Sequence, residues 1–182
     1  MSDIWAGYQE VSRVTSLVDG AQAKALLVDD RRDNLIALEA ILQGLPVEPV
    51  AVESGAAALK QLLIGDFAVI LLDAQMPEMD GFETASHIKQ RERTRHVPII
   101  FLTAADRDAQ LALRGYAAGA VDYLTKPFDP WVLRAKVSVF VDLWVKTRQL
   151  RGLVGAVDEA VAILRTGGDP QQALDLLEKA RP

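Results

Sequence analysis

VILLDAQMPEMDG, residues 69–81, passes from a wholly apolar run to a lone carboxylate at Asp73, then through a proline-containing loop to Asp80 and Gly81. Extended upstream, the apolar run reads FAVILL, residues 67–72, with no polar alternation. A run of that length with both faces apolar is the pattern of a strand covered by helices on either side. It is far short of the roughly 20 residues that cross a bilayer. Asp80 followed by Glu83 reads as a helix start, because a side-chain carboxylate there accepts from the unpaired amides of the first turn. The segment therefore predicts strand, loop and helix in succession, with Asp73 at the carboxyl end of the strand.

The same arrangement recurs on both sides. LLVDD at residues 26–30, PIIFLTA at 98–104 and DYLTKPF at 122–128 each carry an apolar run into a polar terminus. Strands are predicted at 25–28, 47–52, 67–72, 99–103 and 121–124, and helices near 34–43, 56–64, 82–92, 109–119 and 130–150. Ser54 and the pair Asp129-Pro130 supply further helix starts. Short apolar strands alternating with helical segments predict an α/β fold with a doubly wound, five-stranded parallel sheet, here over residues 24–150.

Two flanking segments fall outside that pattern. Residues 1–23 are expected to be an accessory segment, with a short amphipathic helix around Ile4, Tyr8, Val11 and Val14 that Gly7 weakens. Residues 151–182 form a C-terminal helical extension, two helical patterns separated by Gly167-Gly168-Asp169-Pro170 in the manner of a helical hairpin. Leu143, Leu150, Val157 and Leu164 recur every seven residues, with Leu153 and Ala160 at the complementary positions. Either a dimeric coiled coil or an amphipathic helix folded back on its own domain satisfies that spacing, and Gly152 and Gly155 interrupt it.

Composition narrows the function. A chain of 182 residues holds one full-sized domain with an appendage. Its content, 50% hydrophobic and 25% charged, excludes wholesale disorder. Twenty basic against 25 acidic residues leave a net charge of −5, which argues against a general nucleic-acid binder. With no cysteine, disulfides, thiolate metal sites and cysteine nucleophiles are excluded. The amino terminus carries Asp3 and Glu10 and no apolar run of signal-peptide length, so a cytoplasmic protein without membrane association is expected.

In an open α/β sheet, ligands bind beyond the carboxyl ends of the strands. Those ends carry Asp29-Asp30, Asp73, Thr103 and Lys126. Three carboxylates gathered at one end repel each other and require protonation or a cation. Oxygen-only ligation suits Mg²⁺ better than zinc. An aspartate in such a site can act as a nucleophile towards phosphorus, and phosphoryl transfer needs chiefly positioning and charge neutralisation, which an ammonium and a hydroxyl also supply. Singly, the aspartates read as turn or capping residues. Together, and in this order, they read as one site.

The ordered set of motifs resembles the receiver domains of two-component response regulators, the CheY-like family, over roughly residues 25–150. The resemblance implies a flavodoxin-like sheet of order 2-1-3-4-5. It implies that Asp73 accepts a phosphoryl group from the phosphohistidine of a histidine kinase or phosphotransfer protein. Asp29, Asp30, Asp73 and the backbone carbonyl of Gln75 would hold Mg²⁺. Lys126, joined to Pro127 by a cis peptide, would pair with the phosphoryl oxygens, and Thr103 would hydrogen-bond them. Tyr123 would be the aromatic that turns inward when Thr103 moves, acting on a surface made by the fourth helix, fifth strand and fifth helix. Gln75 and Ala105 stand where this family sets its dephosphorylation rate. The protein is then a phosphoacceptor signalling protein rather than an enzyme. His87 and His96 lie away from the strand ends and are expected to be solvated or packing residues. A haloacid-dehalogenase-type hydrolase would need a second aspartate where Gln75 stands, and a phosphorylation-incompetent scaffold would not need the full set. The residues after Leu150 are too few for a winged-helix output and show no basic recognition helix, so control of protein contacts, with a homodimer through the C-terminal helices, is expected rather than direct DNA binding.

Overall fold

A computed structural model describes residues 22–103 and 122–181. The amphipathic pattern around Ile4, Tyr8, Val11 and Val14, the helix expected at 109–119, and Ala105 and Val121 lie outside the described residues. Five strands, β1 (Lys24–Val28), β2 (Glu48–Val52), β3 (Val69–Asp73), β4 (Ile99–Thr103) and β5 (Asp122–Thr125), form one parallel sheet in the order β2-β1-β3-β4-β5. The described helices are α1 (Arg32–Leu42), α2 (Gly55–Ile64), α3 (Gly81–Gln90), α4 (Pro130–Arg165) and α5 (Pro170–Ala180).

Burial explains the strand sequences. β3 and β4 are buried at every residue, which is why VILLD and IIFLT show no alternation. β2 and β5 lie at the sheet edges and are half-exposed, and Pro49 is tolerated on β2 because an edge strand leaves one row of amides unused. One face of the sheet packs Leu26, Val28, Ile70, Leu72, Ile99 and Phe101 with Leu62 of α2 and Ile88 of α3 in a single core cluster. Each such Leu or Ile contributes roughly 1.5–3 kcal/mol by leaving water.

The register aligns the carboxyl ends. Val28 pairs with Leu72, Asp73 with Leu102, and Thr103 with Thr125, so Asp29, Asp73, Thr103 and Lys126 all emerge at one edge. The helix starts follow the capping pattern. Ser54 Oγ accepts from the Ala57 amide at 3.2 Å, Asp80 Oδ1 from Glu83 at 2.7 Å, and Asp129 Oδ1 from Trp131 at 2.8 Å.

α4 runs for 36 residues and continues past Gly152 and Gly155, although each glycine costs about 1 kcal/mol relative to alanine in a helix interior. The chain forms two compact units that divide within α4, between Val141 and Asp142, ahead of the boundary at Leu150 read from the sequence. In the second unit α4 ends where Gly167, at φ +73°, admits a left-handed turn and the Gly168 amide donates to Ile163 O at 2.9 Å. Asp169 Oδ1 then caps α5 through the Gln171 amide at 2.9 Å, with Pro170 leading the helix. Ala156, Ala160 and Ala173 are buried, whereas Leu143, Leu150, Val157 and Leu164 are exposed. Ala160, a complementary position of the heptad as read from the sequence, thus lies on the covered side of the helix. No helix among the described residues is long and apolar enough to cross a membrane.

Candidate functional site

Asp29 follows β1 directly and is fully buried, Asp73 ends β3 and is 6% exposed, and Asp30 is exposed. One carboxylate oxygen from each lies within 4.8 Å of the others. A buried carboxylate persists only if its charge is met by donors, and Asp29 has several. Its Oδ1 accepts from the Arg31 amide at 3.0 Å, and the Asn34 side-chain amide lies 2.8 and 2.9 Å from its two oxygens. Lys126 Nζ reaches across from the end of β5 to Asp29 Oδ2 at 2.9 Å and Asp73 Oδ1 at 3.3 Å. Asn34 was not among the residues singled out from the sequence. Its signal is local: α1 begins at Arg32 rather than at residue 34, which puts Asn34 in the first turn, above the strand end.

Burial pushes the Asp73 carboxyl above its ordinary range. The neighbouring Asp29 charge pushes the same way, while Lys126 and the Gln75 backbone amide oppose it. Asp29 and Asp73 share the ammonium of Lys126 and the exposed Asp30 stands beside them, so these three carboxylates outnumber the cation that meets them. Hard oxygen donors at this spacing fit a divalent cation of the Mg²⁺ type.

Thr103 ends β4, is buried, and accepts at its carbonyl from the Lys126 amide at 2.7 Å, which ties the lysine to the threonine strand. The Lys126–Pro127 peptide is cis. Tyr123 stands on β5 opposite Phe101 and is 43% exposed. His87 is half-exposed and lies 3.9 Å from Glu83 on α3, and His96 is exposed.

The loop 74–80 returns the chain across the end of β3. Glu78 adopts φ +65°, and the Gly81 amide donates to Ala74 O at 3.1 Å. A Cβ on Gly81 would lie 2.1 Å from the Asp73 carbonyl oxygen and 2.9 Å from Ala74 Cα. Only glycine permits so close an approach of α3 to the backbone that carries Asp73.

A family model for the response regulator receiver domain matches residues 25–138. A probable cyclic di-GMP phosphodiesterase of Vibrio cholerae is 39% identical over 126 residues, 67% of this chain and 27% of that protein. Response regulator PleD of Caulobacter vibrioides is 38% identical over 115 residues, 63% of this chain and 25% of that one. The matched segment thus spans about a quarter of these relatives' length. Among solved structures, the receiver domain of a sensor histidine kinase from Pseudomonas aeruginosa, which holds a magnesium ion in its active site cleft, is 31% identical with a TM-score of 0.61 and covers 67% of this chain and 99% of its own. The strand-end carboxylates, the lysine that bridges them and the sheet order 2-1-3-4-5 have the same explanation as these likenesses: the chain belongs to the response regulator receiver domain family.

Proposed function

We propose that this protein relays a two-component signal in the cytoplasm by accepting a phosphoryl group on Asp73 from the phosphohistidine of a histidine kinase or phosphotransfer protein. The observation that carries the reading is the Lys126 ammonium held between Asp29 and Asp73 at 2.9 and 3.3 Å. Asp29 and Asp73 are both buried at strand ends and paired with Lys126, but the oxygens of Asp29 are taken by the Arg31 amide and the Asn34 side chain, which leaves Asp73 as the nucleophile. Attack by its carboxylate oxygen forms the O–P bond as the histidine N–P bond breaks, and the imidazole leaves with the electron pair. Asp29, Asp30, Asp73 and the Gln75 carbonyl are assigned to hold Mg²⁺, which when bound neutralises charge on the transferring phosphoryl group. Lys126 then pairs with one phosphoryl oxygen and the Thr103 hydroxyl donates to another. The movement of Thr103 is assigned to draw Tyr123 inward and alter the surface that protein partners read.

The test is the intact mass after brief incubation with acetyl phosphate and Mg²⁺. One added phosphoryl group, absent with EDTA and absent in Asp73→Ala, is the expected result. An adduct that survives Asp73→Ala, or no adduct at any time from seconds onward, overturns the assignment.

A further inference from the structure

The second half of α4 carries exposed apolar residues in a single register. Leu143, Leu150, Val157 and Leu164 stand seven apart, Val154 and Val161 follow Leu150 and Val157 by four, and all six are at least 39% exposed. With Thr147, the spacing alternates four and three without a break from residue 143 to 164. The β-branched residues Thr147, Val154 and Val161 occupy one core position, and Leu143, Leu150, Val157 and Leu164 the other. That is a coiled-coil seam of three heptads. The buried Ala156 and Ala160 lie on a different face, so the seam is not used by the covered side of the helix. Gly152 and Gly155 also fall off the seam, and a Cβ at either would meet open space. The two residues that interrupt the heptad in the sequence therefore do not interrupt the surface.

We infer that a second copy of this chain covers this seam in antiparallel orientation about a two-fold axis. The charges beside the seam make the case for a copy rather than an unlike partner. Arg151 and Asp158 are exposed, seven residues apart, at the same flanking position of successive heptads. When Val154 faces Val157 of the other copy, Arg151 stands beside Asp158 of that copy, and the symmetry repeats the pair with the roles exchanged. The patch is its own electrostatic complement, as a closed two-fold interface requires. A parallel pair would instead set Lys146 beside Arg151 of the partner copy, like charges at the flanking positions. The inference goes beyond the phosphoacceptor reading and needs no phosphorylation.

Sedimentation of the full chain in EDTA, beside Asp73→Ala, tests it. Both are expected at twice the chain mass. Arg151→Asp alone and Asp158→Arg alone each turn two attractions into two repulsions and should weaken dimerisation by about tenfold. The double exchange R151D/D158R should restore it to within about threefold of the wild type. These are exposed side chains, and an unchanged far-UV circular dichroism spectrum shows that the helix persists. A wild type that stays monomeric at about 100 μM, a dimer indifferent to all three variants, or one tightened by Arg151→Asp alone overturns the inference. Loss of acetyl-phosphate labelling would sink the phosphoacceptor reading and leave this result unchanged.

Discussion

Asp73 shows the tension between stability and reactivity most directly. Burial and the Asp29 charge raise its folded pKa, so the folded protein holds this proton more tightly than the unfolded chain does. Below the ordinary carboxylate value of 3.8 both states are protonated and the group costs nothing; as pH rises through the window up to the raised folded value, stability is lost. Asp73→Asn keeps the shape and removes the charge, while Lys126 retains Asp29 as a partner. In metal-free buffer this variant should be more stable than the wild type at neutral pH. Thermal melts across pH check this, and the advantage should shrink steadily on acidification. A pH-independent difference would mean that packing rather than charge separates the two proteins. At this scale the sequence displayed Asp29, Asp30, Asp73 and Lys126 as strand-end polar residues. It did not display Asn34, because a polar residue in the first turn of a helix is ordinary until the fold sets it 2.8 Å from Asp29.

The junction of β3 and α3 holds Asp73 in place. Gly81 has space for no side chain, since a Cβ would collide with the Asp73 carbonyl at 2.1 Å. Gly81→Ala should cost about 3 kcal/mol or more in urea denaturation, and the folded remainder should accept phosphate from acetyl phosphate more slowly because Asp73 is displaced. A variant as stable as the wild type would show that the loop 74–80 yields freely. Here too the division between local and non-local information is visible. The cap at Asp80 was readable from Glu83 three residues on, whereas the demand for glycine at 81 arises from backbone that packs against it. The length of α4 was readable only in part. Gly152 and Gly155 interrupt the heptad in the sequence, and the helix runs through both.

For the whole receiver unit, the parallel register brings together residues that are distant along the chain, Asp29 and Lys126 above all. If the proposed ligand set is right, a divalent cation binds this cluster only in the folded state. Mg²⁺ at ten times its dissociation constant should add about 1.4 kcal/mol, a melting-temperature rise of about 3–4 °C for a chain of this size. Asp30 is exposed and outside the buried ion-pair network, so Asp30→Asn should leave the metal-free melting temperature within about 1 °C of the wild type and abolish most of the Mg²⁺ increment. An undiminished increment in that variant would remove Asp30 from the proposed ligand set.

The sequence by itself determined the alternation of strands and helices, the parallel sheet and the identity of the strand-end residues, because periodicity, caps and apolar runs are written locally. Tertiary structure alone decided that Lys126 bridges two carboxylates, that Asn34 joins them, that position 81 admits only glycine, and that the uncovered seam of α4 runs through Val154 and Val161 rather than Leu153 and Ala160. Each of these depends on which surfaces meet across long sequence separations, and no window of neighbouring residues contains that information.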